Sequence, residues 1–314
     1  MGSAKMEGQV QVEWRWIIAA YLFLAGVGGG AYLAGVIADF VSQAYQTDWS
    51  LVSKIGVFLG MPCVLIGCLF LLFDLGKPIN AWRVWMKPGT SWMARGTIII
   101  VLFMLFAAIQ TAFWIWPFPG SIENARGPIA VLGAIFAFLT VVYTGLLLGY
   151  SQPISRWRTA LLPVLFFVSA VSTGIMAIVL IGQYQGVAEA QLALLAKIDA
   201  VILIFEMFVL IVFLYNAYRT IESRFSAKRI LSGAVAPAFW LGVVACGLLI
   251  PFFLELTGIA SALAAVLGLF GGLCLRYAVL AGGALDPITA AGFEFARVGQ
   301  PKEPMPAMGR VPPS

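Results

Sequence analysis

The chain has 314 residues, of which 61% are hydrophobic and 11% charged, with a formal net charge of +5 and a mean hydropathy of +0.97. A soluble domain carries about 25% charged residues, so this composition excludes a soluble globular protein and points to lipid. No histidine is present, which excludes a cytochrome holding haem b between two histidines and any proton shuttle built on imidazole.

Residues 1–15 form a short polar N-terminal segment. An apolar run of about 20 residues is needed for each membrane-spanning helix. Eight such runs follow: Trp16–Phe40, Leu51–Phe73, Ser91–Trp116, Pro128–Tyr150, Thr159–Gly182, Glu189–Arg219, Gly233–Phe253 and Ile259–Gly282. Charged or Pro/Gly-bearing breaks separate most of them, and the weakest break is Glu255–Gly258. The first run is too long for a signal-peptide core and no small-residue cleavage site precedes the second, so it reads as a retained span. Trp14, Trp16, Trp49, Trp92, Trp114, Trp116 and Trp157 fall at or near span ends, the aromatic belt expected at headgroup depth. Residues 283–314 form a Pro-rich tail that cannot bury a core of its own. The expected class is an all-α integral membrane protein, with eight transmembrane helices within residues 16–282.

Several residues stand out along this order. In the first span, Tyr21 is followed by Gly28-Gly29-Gly30. Small-xxx-small pairs such as Gly26/Gly30 let helices approach closely in a membrane. Three consecutive glycines exceed that need, weaken the helix and open space beside the backbone. At the end of the second span, Leu75-Gly76 and Pro78 force the backbone out of the helix after Asp74. Asp74 and Lys77 are three apart, so they either pair across a last helical turn or wall an interfacial pocket. Tyr143 lies in the fourth span, and a buried phenol needs a partner for its hydroxyl. Glu206 sits near the middle of the sixth span, where an ionisable group costs on the order of 3 kcal/mol or more and faces protein or a water cavity. Asp199 lies seven residues earlier, on the same face and roughly 10 Å away by helical rise. The two carboxylates make either a stepped proton path or a hydrogen-bonded register between helices. Cys63, Cys68, Cys246 and Cys274 all fall inside spans without a Cys-x-x-Cys pair, so they read as small apolar fillers, and no iron–sulfur cluster is expected in this chain.

Eight spans put both termini on one face. Of the 19 lysines and arginines, 16 fall on that face, Arg276 among them, and only Lys54, Arg126 and Lys197 on the other. The positive-inside rule then places the termini in the cytoplasm. Arg83, Lys87, Arg156, Arg158, Arg224, Lys228 and Arg229 on the terminal-face loops form a candidate surface for a partner subunit.

Together these segments resemble the membrane subunit of polysulfide reductase and the related NrfD-like quinol-interacting subunits. The resemblance rests on Trp14-Arg-Trp followed by Tyr21-Leu-Phe-Leu-Ala-Gly-Val-Gly-Gly-Gly, on the Asp74-Leu-Gly-Lys-Pro78 turn and on Thr90-Ser-Trp92. Tyr143-Thr-Gly-Leu and Ser169-Ala-Val-Ser-Thr-Gly174 support it, and it covers about residues 14–282. It implies two four-helix bundles without haem. It implies electron exchange between a membrane quinone (menaquinone or ubiquinone) and a ferredoxin-like iron–sulfur partner. Such complexes also hold a catalytic oxidoreductase subunit, often containing molybdopterin. The family's quinone pocket is bordered by a histidine and an asparagine on the first helix and a tyrosine on the fourth. Tyr143 matches that tyrosine, Tyr21 falls at the histidine, and Ile18 stands at the other polar position. The expected quinone site is therefore Tyr21, Gly28, Gly29, Tyr143, Asp74 and Lys77, with Asp74, Asp199 and Glu206 carrying protons. Familiar members hold their partner outside the cytoplasm, whereas the basic bias here argues for a cytoplasmic partner face in a prokaryotic inner membrane; the bias is followed. The rival readings are a proton-coupled secondary transporter using Glu206 and Asp199, and a passive anchor. No internal repeat of the kind common in transporters is found.

Overall fold

The computed structural model describes residues 16–74, 92–151, 160–219, 221–258, 261–283, 289–290 and 293–294. The helices are α1 (Trp16–Tyr45), α2 (Ser50–Asp74), α3 (Trp92–Ile115), the single turn α4 (Gly120–Glu123), α5 (Arg126–Ser151), α6 (Leu161–Gln185), α7 (Glu189–Arg219) and α8 (Ile221–Ser232). A π-helical segment, Ala238–Leu249, runs into α9 (Ile250–Thr257), and α10 (Ser261–Ala281) follows. Beyond α10, a two-residue antiparallel ladder joins Thr289–Ala290 to Phe293–Glu294. Eight of these helices, counting the π segment with α9 as one, are long and apolar enough to cross a membrane.

The expected spans agree with these helices to within a few residues, with two informative differences. The first helix runs one turn further than its apolar stretch, to Tyr45, and ends where Gln46 takes a left-handed conformation (φ 52°). Ser42 Oγ donates to the Thr47 carbonyl at 2.5 Å and accepts from the Trp49 amide, so the turn is tied by a side chain at the lipid boundary. Asp48 then accepts from both the hydroxyl and the amide of Ser50 at the start of α2, and these bonds hold its carboxyl below the ordinary pKa. The second difference lies in the seventh span. The residues Glu255–Gly258, expected as a break, are mostly helical: the helix continues to Thr257 and stops at left-handed Gly258 (φ 68°). Pro251 has no N–H to offer the preceding turn, and the Ile250 amide bonds instead to the Ala245 carbonyl, the i→i+5 pattern of a π-helix.

The most buried helices are α1 and α6. Helix α1 packs on α2, α5, α6 and α10, and its glycines are consumed by these contacts. A methyl group at Gly28 would sit 2.7 Å from the Gly60 carbonyl of α2, and one at Gly29 would sit 2.6 Å from Val141 of α5. One at Gly30 would run into the Ala170 carbonyl of α6. The three glycines thus face three different helices, and the sequence expectation of open space beside them is corrected: their Cα faces are covered by protein. On the face away from the termini, Asp39 of α1 pairs with Arg126 of α5 at 2.8 Å, and the guanidinium stacks 4.2 Å over Trp114 of α3. Three helix ends are held together there.

Candidate functional site

Two groups of polar side chains lie where lipid-spanning helices would otherwise be apolar. The first is a phenol pair. Tyr21, in the second turn of α1, is 2% exposed and Tyr143 of α5 is 4% exposed. The Tyr21 hydroxyl lies within electrostatic range of the Tyr143 hydroxyl and of the Cys68 thiol of α2. The backbone explains the placement. A methyl group at Gly67 of α2 would touch the Tyr21 ring, and one at Gly96 of α3 would run into the Tyr143 ring. Four helices therefore enclose the pair: α1 and α5 supply the phenols, while α2 and α3 supply glycines that make room for the rings. Gly96 escaped the sequence reading because a glycine in a spanning helix has no distinctive signature. Ile18, one turn before Tyr21, is buried as well. Two phenols can donate hydrogen bonds to a planar dicarbonyl compound such as a quinone, so the donor set fits that ligand.

The second group is a column of charge. Asp199, Glu206, Glu255 and Arg276 are all buried, at 0%, 5%, 6% and 1% exposure. Glu206 of α7 faces Ser169 of α6 and the Arg276 guanidinium of α10. Arg276 Nη1 donates to Ser169 Oγ at 2.7 Å and to the Gly272 carbonyl at 2.9 Å. Because Ser169 accepts from Arg276, its own proton is free to point at Glu206. Asp199, two turns away along α7, stands beside Ser172 of α6 and Glu255 of α9. Among the described residues, neither Asp199 oxygen nor Glu255 Oε2 has a hydrogen-bond partner at normal geometry. A cavity of about 10 Å³ lies along Ser169, Ser172, Thr173 and Glu206, close to the minimum that holds one water. At its far end the column reaches α1: a methyl group at Gly26 would sit 2.9 Å from Arg276 Nη2. Gly26 is five residues from Tyr21.

The sequence placed Arg276 among the cations of the terminal face. It is instead a fully buried core residue, held inside the membrane span by Ser169 and Glu206, and the basic bias becomes fifteen against three. Glu255 was seen only as a span break; burial in the last turn of the seventh span makes it part of the column. Both residues lie near span ends in the sequence, where charges are ordinarily unremarkable. Of the expected docking residues, Lys228 is exposed and Arg229 partly buried on α8. Lys77, Arg83, Lys87, Arg156 and Arg158 lie outside the described residues, and for Asp74 and Arg224 only the helical backbone is described.

Comparison with known proteins bears on the whole of this arrangement. Residues 4–287 match the family described as polysulphide reductase, NrfD. The protein is similar to a polysulfide reductase chain from Wolinella succinogenes, with 29% identity spanning 87% of this sequence and 94% of that one. It is similar to protein NrfD of Escherichia coli at 28% identity, spanning 87% and 95% of the two sequences. A selenate reductase subunit from Mesobacillus selenatarsenatis is 24% identical over 84% of this sequence and 72% of its own length. With eight apolar helices and a family match across nearly its full length, this chain belongs to the polysulphide reductase NrfD family.

Proposed function

We propose that this chain is the haem-free membrane subunit of a respiratory oxidoreductase complex, exchanging electrons between a membrane quinone and an iron–sulfur partner subunit. The complex is completed by a catalytic oxidoreductase subunit. The reading is supported by the family and by relatives that are parts of polysulfide and selenate reductases. The observation that carries it at the level of residues is the enclosed Tyr21–Tyr143 pair. Family membership supports this subunit role over a transporter or a passive anchor.

A bound quinone supplies two-electron chemistry that must be matched by two protons. The residues of this chain supply the rest. The Tyr21 and Tyr143 hydroxyls donate hydrogen bonds that orient the headgroup, and the four surrounding helices exclude water. Gly28 and Gly29 act indirectly, by setting the helix spacing that brings α1 against α2 and α5. Asp74, with Lys77, relays protons on the terminal side. Glu255, Asp199 and Glu206 relay them from the opposite side, with Ser169 and the small cavity bridging the steps. Arg276 compensates negative charge on Glu206. In this reading α1, α2, α3 and α5 form one four-helix bundle, and α6, α7, the seventh span and α10 form the other. The termini and the basic docking loops lie on the cytoplasmic side, as the charge bias supports.

The test is Tyr143→Phe in the purified complex. Loss of one hydrogen bond of ordinary strength, about 0.5–1.5 kcal/mol, should slow quinone turnover by roughly twofold to twelvefold while the complex assembles normally. Unchanged quinone kinetics in that variant would refute the site.

A further inference from the structure

A groove of about 390 Å³ opens between the beginning of α2 and the end of α6, on the face away from the termini. None of its lining residues belongs to the phenol pair or the charge column. Its lining is graded by depth. Lys54 and Gln185 stand within about a turn of their helix ends. Ile55, Phe58 and Leu59 lie progressively deeper along α2, and Ile181 lies four residues, roughly 6 Å of helical rise, below Gln185. The cation and the amide therefore sit at the interface, with apolar side chains leading from them toward the membrane interior. That is the polarity profile of a lipid, with a polar headgroup at the surface and an acyl tail beneath.

The charge at the mouth is available. Lys54 is exposed, makes no ion pair with any described carboxylate, and holds its ammonium 5.8 Å above the Phe58 ring. Arg126, another of the three cations of this face, is already neutralised by Asp39 and stacked on Trp114. An unpaired lysine over an apolar groove calls for an anion attached to a hydrocarbon. A free inorganic anion would gain nothing from Ile55, Phe58, Leu59 and Ile181, and the groove falls in the size range of small-molecule sites, about 300–1,000 Å³.

The geometry points to a binding site for one anionic phospholipid, its phosphate held by Lys54 and Gln185 and an acyl tail lying along Phe58, Leu59 and Ile181. The lipid would fill the gap between α2 and α6 at this face and fix their spacing there.

The experiment is native mass spectrometry of the full-length protein, with whatever partners copurify, titrated with dioleoylphosphatidylglycerol and, separately, dioleoylphosphatidylcholine. Phosphatidylglycerol should be retained preferentially. Lys54→Gln should weaken it about fivefold, Lys54→Arg should preserve it, and Ile181→Trp, which fills the groove but leaves the lysine, should abolish the preference. Thermal unfolding midpoints of the variants in detergent check that each is folded. Equal retention of the two lipids by the wild-type protein would overturn the site. So would phosphatidylglycerol binding that survives both Lys54→Gln and Ile181→Trp, or displacement of the lipid by a short-tailed quinone.

Discussion

The side chain with most at stake energetically is Arg276. A guanidinium at 1% exposure, reached by Ser169 and the Gly272 carbonyl and facing Glu206, is tolerated only because its charge is compensated. Removing one member of such a buried set typically costs about 3–5 kcal/mol, because the other is left uncompensated. Arg276→Met should therefore destabilise the protein strongly, and Arg276→Met combined with Glu206→Gln should recover much of the loss. Denaturation midpoints of the two single variants and the double variant check this; equal, additive losses would show that the groups do not act together. Glu206 and Asp199 were legible in the sequence because a carboxylate deep in an apolar run is conspicuous. Arg276 and Glu255 were not, because each lies within a few residues of a span end, where a charge can reach water. Only the packing of α6, α7, α9 and α10 reveals that neither does.

Among the helices, the organising device is glycine used as spacing. The eight spans were legible from run length, tryptophans and charged breaks, and the helices follow them closely. What the glycines do was not legible, since their neighbours come from distant parts of the sequence: Gly30 meets α6, and Gly96 meets Tyr143 of α5. The π-helical turn before Pro251 was equally hidden. It breaks the 3.6-residue period by which a sequence is read, and it precedes the turn that carries Glu255. A contrast of two substitutions tests the spacing role. Gly96→Ala should force the Tyr143 ring to shift, at a cost of about 1–3 kcal/mol for overpacking, and should impair quinone turnover. Gly127→Ala, where an added methyl group meets nothing within 4 Å, should leave both stability and turnover unchanged. Thermal midpoints and quinone kinetics of the pair decide the matter; identical behaviour would remove Gly96 from the site.

Across the whole molecule, the phenol pair and the charge column meet at α1, where a methyl group at Gly26 would run into the Arg276 guanidinium and Tyr21 lies about one and a half turns away. The column runs from Glu255, two residues before the end of its helix on the face away from the termini, toward the phenols. If it conducts, quinone chemistry is coupled to protons from the face away from the termini. In proteoliposomes carrying the complex, Asp199→Asn should preserve electron transfer while greatly reducing the membrane potential it generates; an undiminished potential would make the column structural. Family membership and the eight-helix architecture account for the class of protein, and the position of the quinone is the claim on which its mechanism turns. Photoaffinity labelling of the complex with an azido-quinone, followed by peptide mapping, tests that position directly. The expected result is label on α1 around Tyr21 and on α5 around Tyr143, lost when excess native quinone competes. Competable label confined to α7, α9 or α10 would contradict it.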